Sequence, residues 1–313
     1  MKSGFVCIVG RPNAGKSTLL NALVGEKLAI VTHKPQTTRT RITGILNVPK
    51  KKGRDAAQVV LVDTPGIHRS ETSLDKKMMQ EIREGIAGSN LVLLLVDVAR
   101  KPQADDRFVL DLVRKADTPV FALLNKVDLV EKEKLLPILG EFGALNLFRE
   151  IIPISARKKS GLNIVLDKVV DALPKGQPYF PADQLTDQPV RFLAAEAIRE
   201  QVLIGTSEEV PYATAVVIEQ WEEEPRLTRI AATIYCERDG QKAILIGRGG
   251  QMLKKIGTEA RRDIERMLGG KVFLELFVKV RPGWRQQRDF LEETDWRRQL
   301  EMMARAQARE KAH

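Results

Sequence analysis

Five short apolar runs punctuate the first half of the chain, at residues 5–9, 59–62, 91–96, 120–124 and 151–154. Each is rich in Val, Ile and Leu and lacks polar alternation, the pattern of a strand covered on both faces in a parallel sheet. Residues 17–23 read as a helix that follows the first run. The second half has another rhythm. Residues 190–203 carry apolar positions at helical spacing, and 212–221 and 227–236 read as two strands joined by the acidic turn Glu222, Glu223, Glu224 and Pro225. Residues 242–246 predict a shorter strand, 251–268 a helix and 272–280 a last strand. Pro174, Pro178, Pro181 and Pro189 mark an extended linker between the halves. The expected fold is α/β: a mostly parallel sheet first, then a smaller α+β domain.

The first strand runs straight into Gly10-Arg11-Pro12-Asn13-Ala14-Gly15-Lys16-Ser17-Thr18. A strand, this glycine loop and then a helix are the setting a phosphate-binding loop requires. Its amides converge on anionic oxygens at a helix N-terminus, where the dipole assists. Lys16 adds charge at the β- and γ-phosphates, and the Ser17 hydroxyl is suited to Mg²⁺.

Asn125-Lys126-Val127-Asp128 closes the fourth run, at a strand end where open α/β sheets bind ligands. The Asp128 carboxylate suits the paired N–H donors of guanine, which adenine lacks. Asn125 is expected to brace this loop against the phosphate loop, and the Lys126 stem to pack on the base plane. Asp63-Thr64-Pro65-Gly66 closes the second run. Asp63 fits a Mg²⁺-holding role, and the Gly66 amide is placed to meet a γ-phosphate. The polar stretch from Pro35 to Thr40 suits a switch whose threonine reaches the metal, Thr38 first and Thr37 as the alternative. Ser155-Ala156 follows the fifth run, with the Ala156 amide facing the guanine O6.

These five elements in this order resemble the translation-factor-related GTPases with a Ras-type G domain. The Pro-Asn in the phosphate loop and the Gln-Thr-Thr-Arg segment are similar to the Era branch. Where Ras-like enzymes have a water-orienting glutamine, this chain has Ile67, which predicts slow intrinsic hydrolysis, roughly 10⁻⁴–10⁻³ per second. The resemblance also implies a potassium ion held near the phosphates by Asn13. Arg39 and Arg41 are read as surface or RNA contacts rather than as arginine fingers.

Charge then changes the picture of the second half. The chain carries a net charge of +10, which favours a polyanionic partner, and only 5% aromatic residues, which leaves little stacking surface. Ile246-Gly247-Arg248-Gly249-Gly250 opens the helix at 251–268, and a Gly-x-x-Gly turn of this kind lets an RNA backbone approach. From 242 to 281 ten basic residues face four acidic ones. Arg248, Lys254, Lys255, Arg261 and Arg262 cluster at the turn and its helix, and Ile246 and Ile256 are expected to line the base groove. The element order resembles a type II KH domain, and a G domain followed by such a domain is the Era-type architecture. It implies GTP and GDP as ligands, with binding to the 3′-terminal region of small-subunit ribosomal RNA and a role in maturing the small ribosomal subunit.

The expected division is a GTPase domain at 1–174, a linker at 175–188, a KH domain at 189–284 and a helical or disordered tail at 285–313, longer than the family pattern. Two cysteines, Cys7 and Cys236, without paired spacing fit a reducing compartment. No secretory signal is evident and no apolar run spans a bilayer, so the expectation is a cytoplasmic monomer. The basic surface allows peripheral contact with the inner face of the cell membrane. A constitutive RNA chaperone with a merely structural nucleotide site is the alternative reading.

Overall fold

In the computed structural model, which describes residues 1–66 and 72–297, the apolar runs become the strands of one sheet. β1 (Lys2–Val9), β3 (Ala57–Asp63), β4 (Leu91–Asp97), β5 (Val120–Asn125) and β6 (Glu150–Ile154) run parallel, and β2 (Ile42–Val48) lies antiparallel to β3. The order is β2-β3-β1-β4-β5-β6. Alternate residues of β1 feed opposite cores, because successive side chains in a strand point to opposite faces. Val6 and Ile8 pack with Leu19, Leu20 and Val165 from α1 (Lys16–Val24) and α5 (Leu162–Ala172). Cys7 and Val9 pack with Ile82 and Val109 from α2 (Ser73–Ala87) and α3 (Ala104–Arg114). Coverage on both faces explains the unbroken apolar runs. Because the strands are parallel, Gly10, Asp63, Asp97, Asn125 and Ser155 all emerge at or just beyond the C-terminal edge of the sheet. α4 (Lys132–Ala144) completes this half, with Pro137 inside it.

The stretch that follows α5 is bound to the edge of this sheet. Gln58, 0% exposed, accepts from the Tyr179 and Phe180 amides at 2.7 and 3.0 Å, and donates to Phe180 O and Asn47 Oδ1 at 2.8 and 2.9 Å. Ile45 N donates to Leu185 O at 2.8 Å, and the Thr186 hydroxyl to Thr43 O at 2.6 Å. The last two bonds occupy backbone groups on the open edge of β2 that would otherwise need water or another strand. The described residues part into two compact units at Asp187 and Gln188.

The second unit is a three-stranded sheet, β7 (Ala215–Glu224), β8 (Leu227–Cys236) and β9 (Val272–Val280), with β7 antiparallel and β9 parallel to β8. α6 (Val190–Gly205) and α8 (Gln251–Leu268) contribute Ala194, Ile198, Val202, Ile256, Ala260 and Ile264 to its core. The i, i+4, i+8 spacing of the last three is a single helical stripe.

Three sequence expectations change here. Residues 242–246 are helical, within α7 (Asp239–Ile246): Gln241 and Leu245 are the buried positions, one turn apart, and Gln241 Oε1 accepts the Glu237 and Arg238 amides at 2.9 and 3.2 Å. A five-residue apolar run cannot separate strand from helix by period alone. The Gly-x-x-Gly turn therefore joins two helices. β7 begins at Ala215 rather than at 212, since Tyr212 and Ala213 donate back to Glu209 O in a turn, and it runs on to Glu224, so that Glu222, Glu223 and Glu224, expected in the turn, pair with Arg229, Thr228 and Leu227. Ile256, expected in a groove, is 2% exposed and belongs to the core.

Residues 285–297 pack on the second unit. Trp284 is 2% exposed and donates Nε1 to Ala213 O at 2.9 Å, the Arg281 guanidinium covers Phe290 at 4.1 Å, and Phe290 in α9 (Arg288–Glu293) meets Tyr235 edge-on. Residues 298–313 and Ile67 lie outside the described residues. Among the described residues no helix is long and apolar enough to cross a membrane.

Candidate functional site

The glycine loop between β1 and α1 is held by the motif that closes β5. Asn125 Nδ2 donates to Ala14 O at 2.7 Å, and Asn125 Oδ1 accepts the Ala156 amide at 2.9 Å. One 2%-exposed side chain thus joins three loops. A Cβ on Gly15, whose φ is +101°, would stand 2.5 Å from Asn125 Nδ2, so glycine is demanded by the brace as well as by the backbone. Lys126 Nζ donates to Asn13 O at 2.8 Å. The Ala156 amide, expected to face a purine oxygen, is committed to Asn125, and the buried Ser155 hydroxyl accepts the Lys158 amide at 3.1 Å.

Lys16 is 6% exposed and donates to Gly10 O and Arg11 O, both at 3.1 Å. Burial pushes its ammonium down to about 8, with the Asp63 carboxylate opposing the shift. A buried cation whose acceptors are neutral carbonyls gains most from an anion brought beside it. Asp63 is 0% exposed, and burial pushes its carboxyl up to about 6, opposed by Lys16 and by hydrogen bonds from Ser17 and Thr38. Ser17 Oγ and Thr38 Oγ1 donate to Asp63 Oδ2 at 2.7 and 3.2 Å, and the two hydroxyls lie 2.9 Å apart. Asp63 Oδ1 is buried without a hydrogen-bond partner. Oxygens from three separate segments converge here, a hard donor set that suits Mg²⁺. Of the two threonines, Thr38 joins this set, while Thr37 Oγ1 donates to Lys34 O at 2.7 Å.

Lys16, Ser17, Thr18, Asn13, Thr38 and Gly66 line one cleft. Gly66 stands so close to the loop that a Cβ there would be 2.8 Å from Pro12 Cα. Asp128 lies in a short 3-10 turn, Val127–Leu129, exposed and without a side-chain bond among the described residues. Arg41 is committed to α2, with Nε on Glu81 at 2.6 Å and a terminal nitrogen on Glu84 at 3.0 Å. With Glu84 exposed, this is an ion pair at the surface, one of the two roles expected of Arg41.

Sequence reading missed Arg11 and Asp97, both 4% exposed and both joined to the loops above. The signal was present: Asp97 ends the 91–96 run as Asp63 ends the 59–62 run.

In the second unit, Gly247, Arg248, Gly249 and Gly250 separate α7 from α8, with Ile246 half-buried at the end of α7. Gly249 has φ +57° and Gly250 φ +77°, and a Cβ on either would meet nothing within 4 Å. Arg248, Lys254, Lys255 and Arg261 are exposed and carry no ion pair among the described residues. Lys254 and Arg261 fall on one stripe of α8, seven residues and about 10 Å apart. Arg262, by contrast, is paired with Glu259 at 2.7 Å.

Comparison with known proteins agrees with both halves. A family model described as 50S ribosome-binding GTPase matches residues 5–126, and a KH domain model matches residues 209–285. The chain is 48% identical over 285 residues to GTPase Era of Syntrophus aciditrophicus, covering 90% of this chain and 91% of that protein. It is 50% identical over 294 residues to GTPase Era of Geobacter metallireducens, covering 93% and 97%. The crystal structure of Era in complex with MgGDPNP and nucleotides 1506–1542 of 16S ribosomal RNA superposes with a TM-score of 0.90 at 36% identity, over 95% of this chain and 99% of that one. A variant of Aquifex aeolicus Era bound to GDP·AlF4⁻ matches with the same TM-score, identity and coverage.

Proposed function

The chain belongs to the Era family of GTPases, and from that premise we propose that it is a GTP-regulated switch that binds the 3′-terminal region of small-subunit ribosomal RNA and assists maturation of the small subunit. The observation that carries this reading is Asn125, which joins the phosphate loop to the Ala156 loop beside the converged oxygens of Ser17, Thr38 and Asp63.

In this reading the loop amides from Asn13 to Thr18, with Gly10 and Gly15 giving close approach, cradle the phosphates, and Lys16 neutralises charge between the β- and γ-groups. Ser17, Thr38 and Asp63 hold Mg²⁺, which when bound offsets the phosphate charge. Thr38 and Gly66 report the γ-phosphate. Asp128 reads the guanine edge, while Asn125, Ser155 and Ala156 fix the loops around it. Asn13 donates Nδ2 to His33 O at 2.8 Å, which leaves its amide oxygen as the group offered to K⁺; faster hydrolysis in potassium than in sodium buffer tests that assignment. Ile67 cannot orient water by hydrogen bonding, so turnover is slow.

RNA engages Ile246, Gly247, Arg248, Gly249 and Gly250, with Lys254, Lys255 and Arg261 on the phosphates. Residues 1–174 then form the GTPase domain, 175–188 a linker that lies along the edge of the first sheet at 179–186, 189–284 the KH domain and 285–313 a tail. The protein acts as a cytoplasmic monomer, and vesicle flotation tests the peripheral membrane contact that its basic surface allows.

Crosslinking in cells followed by sequencing of the attached RNA tests the assignment. The expected footprint is the 3′ end of small-subunit ribosomal RNA. A footprint dispersed over unrelated transcripts would remove the ribosomal role and favour a general RNA chaperone.

A further inference from the structure

A closed set of charges lies behind the Asn125 loop. Lys126 Nζ is held between Asn13 O at 2.8 Å and Asp97 Oδ2 at 2.7 Å. Asp97 is 4% exposed, and its Oδ1 accepts the Ala99 amide at 3.1 Å, which fixes the rotation of the carboxylate. The Arg11 guanidinium lies 3.5 Å from Asp97 Oδ2 and 3.4 Å from Asp106 Oδ1. Asp106 Oδ2 in turn accepts the Gln103 amide at 2.8 Å, at the N-terminus of α3. Two cations and two carboxylates therefore tie together the phosphate loop, the end of β4, the start of α3 and the end of β5.

The tight member of this set is Lys126 with Asp97; the Arg11 contacts are longer. Lys126 also adopts φ +69°, a left-handed backbone uncommon for a residue with a side chain. Its four-carbon stem has two fixed ends, the strained backbone and the anchored ammonium. A stem held before a ligand arrives loses no rotamer freedom on binding, and that saving appears as affinity.

We propose that Asp97 is a positioning residue of the guanine site: its carboxylate anchors the Lys126 ammonium so that the lysine stem is already laid out as one wall for the purine. The proposal rests on the reading of residues 125–128 as the base-binding loop. It concerns the base and the Asn13 carbonyl, so GDP and GTP feel it alike. Removing the charge at 97 releases the lysine; with the lysine gone, the same removal has little left to act on.

The test is a double-mutant cycle on the full chain, with affinities for GDP and for a non-hydrolysable GTP analogue measured by calorimetry in Mg²⁺ buffer. Asp97→Asn and Lys126→Met are each expected to weaken binding about tenfold, and the double variant no more than about twofold beyond either single one, a coupling of the size seen for contacting charges. The loss is expected to be the same for both nucleotides. Additive losses, or loss confined to the triphosphate, would overturn the proposal, as would an Asp97→Asn protein that binds like wild type. Thermal unfolding without nucleotide checks each variant's fold. Should Asp97→Asn not fold, Asp97→Glu, which retains the charge but shifts it by one methylene, carries the same cycle with a coupling of about threefold, and additivity there is equally contradictory. If wild type fails to bind GDP, the base-loop reading itself fails; if wild type binds and the cycle is additive, only the role of Asp97 does.

Discussion

The two glycine loops of this chain use the same residue for opposite reasons. In the phosphate loop, the space a side chain would take at Gly15 is filled by Asn125 Nδ2, 2.5 Å from an ideal Cβ. In the loop between α7 and α8, the space at Gly249 and Gly250 is filled by nothing within 4 Å. The first loop is cross-braced by Asn125 and Lys126 through bonds made wholly within the protein. The second has positive φ angles, a closed side at Gly247, where a Cβ would stand 2.7 Å from Met252 Cβ, and open space at Gly249 and Gly250, with Arg248, Lys254 and Lys255 exposed and without an ion pair among the described residues. One loop is preorganised by protein; the other leaves its approach to a ligand backbone.

The strongest way to break this contrast is Asn125→Ala. It leaves the buried Ala14 carbonyl and Ala156 amide without their partner, at about 1–3 kcal/mol each. Affinity for GDP, measured by calorimetry, is expected to fall about a hundredfold or more. A loss below about fivefold would mean that the loop holds its shape without the brace.

Gly249→Ala sharpens the other side. The Cβ meets no protein atom, and the backbone conformation costs about 1 kcal/mol, so GDP affinity is expected to stay within about twofold. Binding to an RNA oligonucleotide of the small-subunit 3′ end, measured by fluorescence anisotropy, is expected to weaken about tenfold, because that Cβ enters the space kept for the ligand. Equal loss of GDP and RNA binding would show that the loop glycines serve folding.

The smallest expected effect belongs to Lys254→Ala and Arg261→Ala. Each removes one exposed cation, so RNA affinity is expected to drop a few-fold across sequences, and the slope of log affinity against log salt to flatten by about 1. An unchanged salt slope would place the RNA elsewhere.

The parallel sheet was legible because strands covered on both faces must read as continuous apolar runs, as β3 does with all seven residues buried. The converged oxygens were legible because Asp63 and Ser17 sit in motifs whose spacing follows from phosphate and metal chemistry. Asp97 carried the same signal as Asp63, a carboxylate ending a buried strand, but it lies in no recognised motif and its partner is Lys126 in another loop. Residues 242–246 were misread because one buried turn, Gln241 to Leu245, resembles a short strand in period. The edge-bound stretch at 179–186 was not legible. It depends on Gln58, a polar residue within a buried strand, whose Tyr179 and Phe180 partners lie more than a hundred positions away and whose pairing with them no local pattern records.

The claim on which the account rests is that triphosphate in the braced site alters the grip of the open loop on RNA. Affinity of the intact chain for the 3′-terminal small-subunit RNA, measured with saturating non-hydrolysable GTP analogue and again with GDP, tests it directly. At least about a tenfold difference between the two, a coupling of about 1.4 kcal/mol, is expected at every salt concentration where binding is measurable. Equal affinity with both nucleotides, in a protein that binds each of them, would contradict the account.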